Sequence, residues 1–127
     1  MRPERLRISA FGPYAGQEDL DFSALGNHTL FLICGPTGAG KSTILDAMCY
    51  ALYGKTSGAV RSGEDLRSNY VGYDRKTYVE FDFAIGDRHY RIYRSPTQLL
   101  ERQKGDRSKP VAVSYTHLRA HETREDL

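Results

Sequence analysis

The segment Gly35-Pro36-Thr37-Gly38-Ala39-Gly40-Lys41-Ser42 follows the pattern G-x-x-x-x-G-K-[S/T], and the chemistry of that pattern is phosphate binding. Its glycines let backbone N–H groups turn inward around an anion, and a helix that starts there adds favourable partial charge. Lys41 is expected to reach the β- and γ-phosphates of a nucleoside triphosphate as a point charge, which is the catalytic contribution open to this segment. Ser42 offers its hydroxyl to Mg²⁺, and Thr43 can hydrogen-bond the α-phosphate. Gly35, Pro36, Thr37, Gly38, Ala39, Gly40, Lys41, Ser42 and Thr43 therefore form the candidate site. The plainer alternative is a glycine-rich turn with no ligand. Context argues against it when a buried strand precedes the pattern and a helix follows.

Both elements are expected. Residues 30–34 are continuously apolar, as in a strand buried on both faces of a helix-covered sheet. A helix is expected over residues 41–53. Its apolar residues Ile44, Leu45, Ala47, Met48, Ala51 and Leu52 wrap much of the circumference, which implies burial. Asp46 and Tyr50 share its more polar edge, and Gly54 can take the left-handed conformation that ends it.

Around this unit the chain alternates as strands do. Leu6, Ile8 and Ala10 oppose Arg5, Arg7 and Ser9; after the turn residues Gly12, Pro13 and Gly16, alternation resumes through Leu20 and Phe22, giving a β-meander. Val79, Phe81, Phe83 and Ile85 oppose Tyr78, Glu80, Asp82 and Ala84, and a second run passes through Tyr90 and Ile92. Gly86-Asp87 between them predicts a β-hairpin with a type II′ turn. Residues 55–75 read as loop with one short helical turn near 64–68, and residues 96–110 as an exposed basic loop.

A phosphate site of this class hydrolyses its ligand only with a Walker-B carboxylate for Mg²⁺ and a group that orients the attacking water. Glu80 and Asp82 lie in mid-strand between alternating neighbours and read as the solvated face of the hairpin, so no complete hydrolytic site is expected. With 39% hydrophobic and 27% charged residues the composition is that of a globular domain, and 127 residues allow one small domain. No apolar run approaches the roughly 20 residues of a membrane span, and Met1-Arg2-Pro3-Glu4-Arg5 does not open a signal peptide. A soluble, cytoplasmic protein is expected. Cys34 and Cys49 form no CxxC pair and read as two buried thiols. A net charge of +2 is too small to imply a nucleic-acid partner.

A more specific pattern emerges from the order of several segments. Ile8-Ser9-Ala10-Phe11-Gly12-Pro13-Tyr14, Leu20-Asp21-Phe22, Leu30-Phe31-Leu32-Ile33, Gly38-Ala39-Gly40-Lys41-Ser42, Leu45-Asp46-Ala47, Tyr50-Ala51-Leu52-Tyr53-Gly54, Leu66-Arg67-Ser68 and Tyr78-Val79-Glu80-Phe81 together resemble the N-terminal part of the SbcC family. These are ATPase subunits of SbcCD nucleases, within the SMC-like ABC ATPases. The resemblance covers roughly residues 1–96 and implies an α/β P-loop NTPase fold, the N-terminal lobe of an ABC-type ATPase head. It implies ATP and Mg²⁺ as cofactors, with Gly35 to Thr43 as the matching phosphate-binding positions. As partners it implies an SbcD-like nuclease, a second copy of the head and DNA through the full complex, with no membrane. Signature motif, Walker B, Q-loop, zinc-hook cysteines and coiled-coil heptads are absent from the chain. The expectation is about half a head, with ATP hydrolysis belonging to the complete protein and weak or no turnover, together with aggregation, in this chain. Gly12 stands where some archaeal and eukaryotic relatives carry a basic residue, so no side-chain nucleotide contact is expected there.

Residues 114–127, beginning Ser114-Tyr115-Thr116-His117-Leu118-Arg119-Ala120-His121, resemble a tail that recurs on unrelated proteins translated from assembled sequence data. The partial ATP-binding head is accordingly assigned to residues 1–113, with 114–127 a non-native or disordered tail. His117 and His121 have the spacing of two metal ligands on a helix but lack a third. The basic residues of 88–109 can meet DNA phosphates or belong to an ordinary solvated hairpin and loop. Tyr90 and Tyr93 read as packing residues. Other readings of the P-loop are a transporter-type ABC cassette, a small-molecule kinase and a non-functional truncation. The opening Phe11-Gly12-Pro13-Tyr14 argues against the first, and the lack of lid and substrate motifs against the second.

Overall fold

A computed structural model of the chain describes residues 1–26, 32–36, 40–55, 66–72, 74–100 and 111–121. Strand β1 (Arg2–Phe11) forms a hairpin with β2 (Tyr14–Asp21). Helix α1 (Lys41–Tyr53) follows, then β3 (Tyr78–Ile85), β4 (Arg88–Leu100) and β5 (Val111–His121). The strands form one five-stranded sheet in the order β2-β1-β3-β4-β5, antiparallel at every junction. The β3–β4 hairpin turns at Gly86, whose φ of 60° with no positive φ at Asp87 gives the expected type II′ turn.

The expected alternation builds the core. Leu6 and Ile8 of β1, Val79, Phe81 and Phe83 of β3 and Ile92 of β4 point to one face of the sheet. Ala47, Met48, Tyr50 and Ala51 of α1 pack onto them. Full burial of a side chain such as Phe81 is worth about 2–3 kcal/mol. Helix α1 is buried on this face alone: Leu45 and Tyr53 are exposed, contrary to the expectation of burial around the circumference. Its C-terminus is closed by Gly54, with φ of 77° and its N–H donating to the Tyr50 carbonyl at 2.8 Å. Arg94 of β4 donates to the Ala51 carbonyl at 3.2 Å and lies over the Tyr50 ring, placing a cation at the negative end of the helix.

Residues 32–36 form no strand. Leu32 is 84% exposed and Cys34 is exposed, which corrects the expected buried strand and the expected burial of Cys34; Cys49 is half-buried. Residues 30 and 31 lie outside the described residues. The physical reason is that a strand buried on both faces needs a hydrogen-bonded neighbour and a cover on each face, and none of the five strands pairs with this segment.

Glu80 and Asp82 are not solvated. Asp82 is 2% exposed, opposite Arg5 on one side and Arg91 on the other. Arg91 grips it with two parallel hydrogen bonds of 2.7 and 2.8 Å. Glu80 lies within 3.6 Å of Arg7 and 3.5 Å of Arg91, and Arg5 and Arg7 both reach Asp19. Alternation located the face correctly, but flanking strands cover it with cross-strand ion pairs. Two basic residues of the hairpin, Arg91 and Arg94, are thus engaged internally. Tyr93 stacks on Tyr78 and Tyr90 on Phe83, so both tyrosines pack as expected.

Strand β4 also runs further than the sequence implies, through Pro96 to Leu100. Proline lacks an N–H and is admitted where the pairing slips; the register with β5 shifts between Ser95 and Gln98. Gln98 turns inward there, accepting from the Thr77 N–H and donating to the Thr77 carbonyl, both at 2.8 Å. Residues 101–110 lie outside the described residues. Residues 114–121, expected as a non-native or disordered tail, pair with β4 as part of β5, while 122–127 lie outside the described residues. Side chains of 115–120 are all exposed, so this edge contributes backbone hydrogen bonds and almost no core. In a strand, residues 117 and 121 stand about 13 Å apart, which removes the helical spacing considered for His117 and His121. Among the described residues no group of three or more His, Cys, Asp or Glu is placed to hold a metal, and no helix is long and apolar enough to cross a membrane.

Candidate phosphate-binding site

The expected site residues fall at the N-terminus of α1. Gly40 precedes the helix with φ of 96° and ψ of 14°, a left-handed conformation that L side chains adopt only with strain. This turn delivers the chain abruptly into the first helical residue, Lys41. The first N–H groups of a helix have no intrahelical acceptor, and no side chain caps them here. The first intrahelical bond runs from the Ile44 N–H to the Gly40 carbonyl at 3.3 Å. Uncapped amides, the positive end of the helix and a glycine that keeps side chains out of the approach form a site complementary to an anion.

Lys41 supplies the cation. Its Nζ donates to the Gly35 carbonyl at 2.5 Å, so the two ends of the motif are brought together across the loop. An ammonium has three donors, and one bond to Gly35 leaves capacity for phosphate oxygens. Ser42 is exposed, as a hydroxyl that meets a solvated cation must be. Thr43 is buried, with its Cγ2 3.0 Å from where a Cβ on Gly12 would stand. The described site residues thus fit the group that the motif implies, with separate atoms for phosphate and for Mg²⁺. Pro36 is exposed beside Gly35, while Thr37, Gly38 and Ala39 lie outside the described residues.

The turn between β1 and β2 reaches this site. Ala10 has φ of 49° within a register shift between Ser9 and Phe11. Its carbonyl accepts from the Ser68 N–H at 2.8 Å and the Thr77 hydroxyl at 2.7 Å. The Gly12 N–H donates to the Leu66 carbonyl at 2.7 Å. These bonds bend the end of β1 toward α1 and bring Tyr14 against Gly40, where its hydroxyl donates to the Gly40 carbonyl at 3.4 Å. Sequence reasoning missed Tyr14, because the phosphate pattern begins 21 residues later and carries no trace of what packs on it.

Residues 5–124 match the AAA domain family. The chain is 49% identical over 106 residues to the SbcC subunit of nuclease SbcCD from Vibrio cholerae serotype O1, covering 84% of this chain and 10% of that protein. It is 45% identical over 108 residues to the SbcC protein of Lactococcus lactis subsp. lactis, covering 85% and 10% respectively. With the Staphylococcus aureus SbcC protein the identity is 42% over 101 residues, 80% of this chain and 10% of the relative. The chain therefore spans about a tenth of the length of the curated relatives it matches.

Proposed function

We propose, from the premise that this chain belongs to the AAA domain family and resembles the N-terminal part of SbcC proteins, that it is the ATP-binding half of an ATPase head. The sheet-dominated α/β fold is that of a P-loop NTPase N-terminal lobe. In this reading Gly35 to Thr43 hold the phosphates, Lys41 neutralises charge at the β- and γ-positions, and Ser42 joins Mg²⁺. Bound ATP and Mg²⁺ supply the phosphoryl group and its charge compensation. The chain's own residues hold and orient them. The observation that carries this reading is the left-handed Gly40 that opens an uncapped helix beside Lys41.

The carboxylate and signature groups that complete hydrolysis come, in this proposal, from a further part of a longer protein and from a second head. The relatives' printed name, one component of the nuclease SbcCD, supports an SbcD-like nuclease as partner and DNA ends as the substrate of the assembly. The head segment is assigned to residues 1–113 and 114–127 to a tail of separate origin, which the exposure of 115–120 supports. Sequencing the genomic locus tests that boundary: a continuous frame encoding the same tail would overturn it.

Calorimetric titration of the chain with ATP and Mg²⁺ tests the site. Saturable binding is expected, weakened at least about 10-fold by Lys41→Ala, as loss of a charge-assisted contact implies. Equal affinities in the two proteins would refute it. Turnover by the chain alone is expected to be negligible, and a robust rate that depends on Lys41 would show that the chain completes its own site.

A further inference from the structure

The Gly40 carbonyl carries two bonds, one from the Ile44 N–H at 3.3 Å and one from the Tyr14 hydroxyl at 3.4 Å. Tyr14 also closes the space around Gly40. A Cβ placed there would stand 2.2 Å from the phenol oxygen and 2.7 Å from Cζ, so glycine is required by contact as well as by its φ of 96°. The phenol is held from behind: its ring packs against the core, and the turn that carries it is tied down by the Gly12–Leu66 bond and the bulge at Ala10.

The peptide unit is planar, so the Gly40 carbonyl and the Lys41 N–H lie in one rigid plane and point in opposite directions. A group that pins the carbonyl aims the amide. We infer that Tyr14 is a positioning residue for the phosphate site: by holding the Gly40 carbonyl it orients the Lys41 N–H toward the bound phosphates before the ligand arrives. This rests on the proposed ATP-binding reading and adds to it a residue outside the phosphate pattern. Preorganisation of this kind raises affinity because binding then orders less of the protein.

The test is titration of the full chain with ATP and Mg²⁺, and separately with inorganic triphosphate and Mg²⁺, alongside thermal unfolding without ligand. Tyr14→Phe keeps the ring and removes the donor, and is expected to weaken both ligands about 3-fold, in line with one neutral hydrogen bond. Tyr14→Ala also frees the space around Gly40 and is expected to weaken both about 10-fold or more. Equal losses for the two ligands follow from an effect transmitted through a backbone amide at the phosphates. A loss for ATP with none for triphosphate would overturn the inference, because Tyr14 would then be reading the nucleoside. So would a fall in thermal stability with unchanged affinity, the mark of a purely structural side chain. If Tyr14→Ala does not fold, the Tyr14→Phe titration decides. Binding by the wild-type chain that is lost in Lys41→Ala but unchanged in both Tyr14 variants removes the inference alone. Absence of binding by the wild type removes the ATP reading and the inference with it.

Discussion

Asp19 receives guanidinium groups from two successive positions on one face of β1, Arg5 and Arg7. Its hydrogen bond to Arg5, against a smaller opposing cost of burial, holds the carboxyl at about 2, below its ordinary value of 3.8. A carboxyl lowered in the folded state stabilises the fold above its unfolded pKa, and that contribution disappears as pH falls from about 4 toward 2. The pair is more than one-third exposed, so solvent screening limits its worth to a few tenths of a kcal/mol. Urea midpoints measured between pH 5 and pH 2 are expected to fall less steeply in Asp19→Asn than in the wild type; parallel curves would show that Asp19 contributes nothing to acid unfolding. Residues whose chemistry is set by local pattern were legible at this scale, Lys41 and Ser42 above all. Asp82 was not. Alternation tells which way a side chain points but not which strand lies beside it, and Arg5 and Arg91 arrive from positions 77 and 9 residues away.

Elements were legible where their boundaries are marked by backbone chemistry. Gly54 ends α1 and Gly86 turns the β3–β4 hairpin, both with positive φ. They differ in surroundings, and that difference is testable. A Cβ on Gly86 meets nothing within 4 Å, whereas one on Gly54 would stand 3.2 Å from Nη1 of Arg94. Gly86→Ala should therefore cost about 1 kcal/mol through backbone strain alone. Gly54→Ala should cost about 2 kcal/mol, because it also disturbs the guanidinium bonded to Ala51. Denaturant unfolding of the two variants checks this, and equal losses would mean that Arg94 yields freely. Legibility failed where an element depends on a partner. Pro96 looks like the end of a strand until the slip in pairing and the inward turn of Gln98 are seen. Residues 32–34 look like a buried strand, yet that state needs neighbours which their own composition cannot supply.

At the scale of the molecule the sheet buries one face against α1 and crosses the other with ion pairs, but the far side of α1 remains open. Leu45 and Tyr53, eight residues apart and so on one side of the helix, are 54% and 71% exposed. Apolar groups clustered on one surface favour association. In the proposed reading this surface meets the remainder of the head, which the sequence of this chain cannot reveal because the covering residues are not in it. Isolated, the chain is expected to self-associate as its concentration rises, through that surface rather than through the charged face of the sheet. Replacing Leu45 and Tyr53 together by lysine leaves the core residues Ala47, Met48 and Ala51 in place and is expected to keep the chain monomeric in sedimentation equilibrium where the wild type associates. The salt dependence separates the two faces: apolar association persists as salt is raised, whereas contacts between ion-pair faces weaken within the screening length of about 10 Å at 0.1 M. Association that survives the double substitution and melts away in salt would assign the contact to the arginine–carboxylate face and refute the placement on α1.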